Sequence, residues 1–124
     1  MGAFTVTSVI GCATGDMGRG KSVVLTATGP ASYDAGGSII DLSSANTVLT
    51  GFVSDAAFVR VTGLKLVGIG AAAADRYFCT YVPAAAGAPA TGKVKVRDAD
   101  NATAMSEASG DLSTVTFTFE ITGA

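Results

Sequence analysis

GDMGRGKSVVLTAT, residues 15–28, admits two readings that lead to different proteins. Gly15, Gly20, Lys21 and Ser22 match G-x-x-x-x-G-K-[ST], the loop whose amides and lysine hold nucleotide phosphates while its hydroxyl binds magnesium. The same residues also make a glycine-rich turn running into a β-branched strand, Ser22–Ala27, with Lys21 as its exposed first residue. The residues just after the motif separate the two. A phosphate loop opens a helix, because the helix N-terminus completes the anion site. Val23, Val24, Thr26, Thr28, Gly29 and Pro30 make a poor helix. No apolar strand ends in a convincing second acidic metal ligand, and the chain leaves no room for the βαβ repeats of a nucleotide-binding sheet. The stretch is read as a turn delivering a strand, and nucleotide binding is not expected.

Strand periodicity continues on both sides of it. Phe4–Ile10 alternates, with Phe4, Val6, Ser8 and Ile10 on one face and Thr5 and Thr7 on the other. Thr28–Gly37 is a loop, with Gly-Pro and Gly-Gly pairs, that Tyr33 pins to the body. Ser38–Ser44 fits either one helical turn or a short strand through Ile39 and Ile40. Thr47–Val53 and Phe58–Thr62 predict a hairpin around Ser54–Ala57. In Leu64–Ile69, Leu64 and Leu66 oppose Lys65 and Val67, before Gly68 and Gly70 weaken the strand. Ala71–Ala74 is the one helix-prone segment and is too short to nucleate a helix.

Arg76–Val82 places Tyr77, Cys79 and Tyr81 on one face and Phe78, Thr80 and Val82 on the other, and Pro83 ends it. Ala84–Thr91 is a low-complexity stretch expected to be a mobile surface loop. Lys93–Arg97 points Val94 and Val96 inward and sets Lys93, Lys95 and Arg97 in a basic row, either the protected edge of a sheet or a partner surface. The clearest strand is Ser113–Thr122, where Val115, Phe117, Phe119 and Ile121 oppose Thr114, Thr116, Thr118 and Glu120; it belongs inside a sheet. Seven or eight short strands, minimal helix and regular turns predict an all-β chain. Residues 1–124 are expected to form a single antiparallel β-sandwich or jelly-roll-like barrel.

Composition narrows the chemistry. Without histidine, no Ser-His-Asp or Cys-His arrangement is possible. Cys12 and Cys79 form no C-x-x-C unit; they read as two buried thiols, with a single disulfide left open. Asp98 and Asp100 lie in a polar turn, Asp98–Asn101 fails the calcium-loop pattern at Ala102, and Asn101–Thr103 is a glycosylation sequon in form only. Eight basic residues against ten acidic ones show no concentrated basic excess, so no direct nucleic-acid partner is expected. No apolar run has membrane-spanning length, and MGAFTVTSVIG lacks the features of a secretory or myristoylation signal, so a soluble protein made where it folds is expected. No catalytic residue, cofactor or metal site emerges, and the chain is read as a non-enzyme.

Several pieces in order resemble a group of small tailed-bacteriophage virion proteins: the Gly-Asp turn, the strand Lys21–Thr26, Ser-Tyr-x-x-Gly-Gly at Ser32–Gly37, and an Ile-Ile-Asp-Leu piece. The aromatic and Gly-Lys-x-Lys strands across Arg76–Arg97 and the closing Asp-Leu-Ser-x-Val-Thr-Phe-x-Phe of Asp111–Phe119 continue the likeness. The resemblance implies a head-associated capsid decoration or cement protein that binds the major capsid protein on the outer surface of the virion, made in the host bacterial cytoplasm. A homotrimer at local three-fold positions, binding neither nucleic acid nor membrane, is expected. No contact residue is carried over from the group. From the residues themselves, Tyr77, Tyr81, Lys93, Lys95 and Arg97 form the expected contact face, since aromatic and arginine side chains are favoured at interface cores. The alternative is a tail- or fibre-associated module binding a host-surface glycan.

Overall fold

Residues 2–14, 20–70, 77–98, 106–107 and 111–124 are described by the computed structural model. Its strands are β1 (Thr5–Thr14), β2 (Lys21–Thr28), β3 (Ser38–Ile39), β4 (Val61–Gly70), β5 (Tyr77–Val82), β6 (Lys93–Asp98), β7 (Ser106–Glu107) and β8 (Thr116–Gly123), with a short helix α1 (Thr47–Phe52) between β3 and β4. The first sheet has the order β1-β2-β8-β4; the second has β3-β6-β5, with β7 also paired to β6. Every ladder is antiparallel. The two sheets share one hydrophobic core, so the all-β sandwich expected from the periodicity is the fold.

Alternation in β2 and β8 builds that core. Register sets Val23 beside Ile121, Leu25 beside Phe119 and Ala27 beside Phe117, and all six are fully buried. Phe117 and Phe119 stack with ring centroids 5.7 Å apart, and Phe4 meets both edge-on. From the opposite sheet, Val94 and Val96 are fully buried and Tyr77 approaches Phe117 edge-to-face at 6.3 Å. β8, flanked by β2 and β4, is an interior strand as its pattern predicts.

Bulges change the reading of β1 and β4. The β1 ladder shifts between Val6 and Ser8 and again between Val9 and Gly11. Each extra residue reverses which side chains face the core. Phe4 and Val6 are therefore buried and Val9 packs against the core, but Ile10 is 64% exposed and does not share their face. In β4 Val67 is exposed opposite Leu64 and Leu66 as alternation expects, and a shift between Leu66 and Gly68 brings Ile69 back against the core.

The expected hairpin at Thr47–Val53 and Phe58–Thr62 is replaced by α1, a 3-10 turn at Ser54–Ala56 and the start of β4. Asn46 caps the helix, its side chain accepting the Leu49 N–H at 3.4 Å, and Leu49 is buried. A cap and one core anchor outweigh the β-propensity of Thr47 and Val48. Ser38–Ile39 takes the strand alternative. The Ala84–Thr91 loop, expected to be mobile, is tied to the body: Leu42 N–H donates to the Pro89 carbonyl at 2.9 Å, and Ala85–Gly87 forms a 3-10 turn. Ala71–Ala74, Asp100 and Asn101–Thr103 lie outside the described residues.

The Ser-Tyr-x-x-Gly-Gly and Asp-Leu-Ser pieces are folding devices. Tyr33 is buried, and its hydroxyl accepts the Val96 N–H at 2.9 Å, between the short stretches where β3 and β7 pair with β6. Gly36 and Gly37 have φ of +89° and +119°, and Gly37 closes the turn by donating to the Asp34 carbonyl while lying against Val94. Asp-Leu-Ser occurs twice with one geometry. Asp41 accepts the Ser43 N–H and hydroxyl at 2.9 and 2.6 Å; Asp111 accepts those of Ser113 at 2.8 and 2.6 Å. The leucine between them is buried in each case. The hydroxyl and then the N–H of Ser113 hold the Asp111 carboxyl below its usual range. Tyr33→Phe should cost about 1–3 kcal/mol in urea denaturation, because it strands the buried Val96 donor.

Candidate functional site

Lys21 and Ser22 open a strand, not a helix, and Lys21 pairs across the ladders with Thr14 and Gly123. The lysine is half-buried rather than exposed. Its Nζ donates to the carbonyls of Asp55 (2.8 Å) and Ala57 and lies 5.2 Å over the Phe58 ring. These carbonyls lie in and just after the 3-10 turn Ser54–Ala56, so Lys21 ties β2 to the connection between α1 and β4. A lysine engaged in this way is not presented to a phosphate. Gly15–Arg19, the start of the motif, lies outside the described residues.

The five residues expected to share a contact face divide between two faces of the second sheet. β5 pairs with β6 as Tyr77 with Asp98, Phe78 with Arg97, Cys79 with Val96, Thr80 with Lys95, Tyr81 with Val94 and Val82 with Lys93. Paired residues point to the same side. Tyr77 and Tyr81 therefore stand with the buried valines and pack against the core. Lys93, Lys95 and Arg97 stand on the opposite face with Phe78, Thr80 and Val82. Phe78 is 50% exposed and Val82 39% exposed. Cations and tyrosines cannot form one flat contact surface, because the sheet lies between them.

Tyr81 is further committed to the interior. Its hydroxyl is buried without a hydrogen-bond partner among the described residues, burial raises its pKa, and its ring occupies the space beside Gly92. Nor is the basic row an edge: β6 has β5 on one side and β3 and β7 on the other. Protection of a free edge does not explain its charge. Across the ladders Lys93 meets Ile39 and Val82, and Lys95 meets Thr80, so among the described residues neither has a carboxylate as cross-strand neighbour; Arg97 lies opposite Glu107.

Where the sheets come together on one side of the sandwich, a groove of about 550 Å³ separates β4 from β5. Lys65–Ile69 and Tyr77–Cys79 line it. Lys65 pairs with Glu120 at 3.1 Å in an exposed position, a contact worth about 0–1 kcal/mol. Cys79 and Cys12 are both free and half-buried, not deeply buried or joined. Burial raises the Cys79 thiol to about 12, so it is held protonated. The unfolded thiol ionises first as pH rises from about 9, so stability is full below that point and declines towards about pH 12. Cys79→Ala should flatten part of that decline in urea denaturation, and the raised Tyr81 hydroxyl should maintain the remainder.

Phe78 and Val82 are the face members that sequence reasoning passed over. Their alternation with the tyrosines was visible, but only the β5–β6 register shows which set accompanies the cations. Comparison with known proteins returns no matching family model and no significant match among curated proteins or solved structures.

Proposed function

We propose that this chain is a non-enzymatic structural protein of a tailed-phage virion, decorating and stabilising the capsid by binding the major capsid protein lattice as a homo-oligomer. The reading rests on the sequence resemblance and on one structural observation: the outer face of the second sheet carries Lys93, Lys95 and Arg97 beside the exposed Phe78 and Val82. A face of this kind combines apolar contact with charge that selects the partner and its orientation. Binding sites that exist only between correctly placed capsid subunits would stabilise the shell through linkage. An oligomer engaging several such sites would convert weak contacts into firm attachment.

Lys93→Ser, Lys95→Ser and Arg97→Ser made together should weaken co-sedimentation with capsids at least tenfold while leaving the far-UV circular dichroism unchanged. Undiminished binding by the folded triple variant would remove this face from the proposal. Quantitative mass spectrometry of purified particles separates the capsid role from a glycan-binding role in the tail: hundreds of copies per particle support the first, a handful the second.

A further inference from the structure

β4 and β5 are the last strands of their respective sheets, follow one another in the chain and run side by side, yet no ladder joins them among the described residues. Among the described residues, no strand pairs with the groove-facing edge of either. Free edges offer unpaired N–H and C=O groups, and proteins normally blunt them with proline, charge or bulges. β4 is blunted in this way, with register shifts at Val61/Gly63 and Leu66/Gly68 and with Lys65 among its residues. β5 is not. YFCTYV is a regular run of strand-forming residues without charge, proline or bulge, in continuous register with β6.

We propose that the free edge of β5 takes up an extended segment of a partner protein whose residues alternate between carboxylate and apolar. The pleat dictates that pattern. Alternate side chains of an added strand would stand beside Phe78, Thr80 and Val82 on the outer face and beside Tyr77, Cys79 and Tyr81 on the inner one. On the outer side the basic row lies one strand further in, about 10 Å from the added backbone at the usual strand spacing of about 4.8 Å. Extended lysine, arginine and glutamate side chains span that distance together. On the inner side the segment meets the groove, whose walls include Leu66 and Ile69. That side requires apolar residues. Charge complementarity selects the acidic partner: the chain carries a net charge of −2, yet this face gathers three cations, and among the described residues Lys93 and Lys95 have no carboxylate across the ladder. The added strand would contribute main-chain hydrogen bonds for affinity and side-chain alternation for specificity.

The proposal uses the basic row named as a contact face above but needs no capsid, and its test contains none. The intact chain is mixed with a synthetic peptide of alternating glutamate and valine, with an alternating lysine and valine peptide, and with a glutamate and valine peptide of scrambled order. Peptide binding is followed by fluorescence anisotropy and amide exchange by mass spectrometry. The alternating acidic peptide is expected to slow exchange in Tyr77–Val82 at least tenfold and to bind at least tenfold more tightly than either control. Lys95→Glu combined with Arg97→Glu, at outward-facing positions, should reverse the preference between the two charged peptides. Three results would overturn the proposal: no protection of Tyr77–Val82 in folded protein, a preference unchanged by the two substitutions, or protection that rises with protein concentration alone, which would assign the edge to a second copy of the chain. Capsid binding that fails while the peptide still binds would count against the capsid reading and leave this one standing.

Discussion

Phe117→Ala is expected to cost about 3–5 kcal/mol, the range for emptying a large aromatic site in a packed core. Phe117 is fully buried on the central strand β8 and has ring neighbours in Phe4, Phe119 and Tyr77, so the substitution opens a void between the sheets. These neighbours come from other parts of the sandwich or from the same strand, and none can swing into the space without leaving its own contacts. Typical domains have a total stability of about 5–15 kcal/mol, so the variant should be marginal. Urea denaturation gives the comparison, with the midpoint lowered and the slope retained. Phe52→Ala, at a 55% exposed position on α1, should change stability by about 0.5 kcal/mol or less. A cost below about 1.5 kcal/mol at Phe117 would mean that the aromatic cluster is not the centre of the core.

Gly29→Ala should have the second largest effect, about 3 kcal/mol, at the upper end of the overpacking range. Gly29 follows β2 and lies directly against the Asp111–Ser113 turn. A Cβ there would overlap the Leu112 carbonyl and stand 2.6 Å from the Leu112 Cβ. Neither atom can rotate aside. Two hydrogen bonds hold the segments together, Gly29 N–H to the Val115 carbonyl at 3.1 Å and Leu112 N–H to the Pro30 carbonyl at 2.8 Å, and an added methyl must strain both. Thermal unfolding should show a drop of roughly 10 °C. Gly51→Ala is the matched control: nothing lies within 4 Å of its Cβ position in α1, so alanine should raise stability there by up to about 1 kcal/mol.

The candidate face shows where sequence reasoning stops. Alternation in YFCTYV and KVKVR separates each strand into two sets, and it places Val94 and Val96 inward, where they are buried. Which tyrosine set lies with which lysine set depends on how the strands pair, and the register allies the cations with Phe78, Thr80 and Val82. Tyr33 was legible as a loop anchor because it is the one large side chain in a glycine-rich segment. Its partner, the Val96 N–H, was not, since the bond joins residues far apart in the chain. The twin Asp-Leu-Ser turns were visible as letters, but their common role required the buried leucines to be seen.

By itself the sequence determined that this protein is a β-sheet structure with a Val, Leu, Ile and Phe interior, and that Gly15–Ser22 leads into a strand. Both have local causes: the two-residue period of an extended chain, and the poor helix-forming character of the residues after Lys21. Tertiary structure alone decided the outward turn of Ile10, the inward return of Ile69, the helix at Thr47–Phe52, the engagement of Lys21 by the Asp55 and Ala57 carbonyls, and the division of tyrosines from cations. In each case the determining atoms belong to a distant segment. A bulge exists only relative to a partner strand, and a helix of six residues persists only because Leu49 has a core to enter.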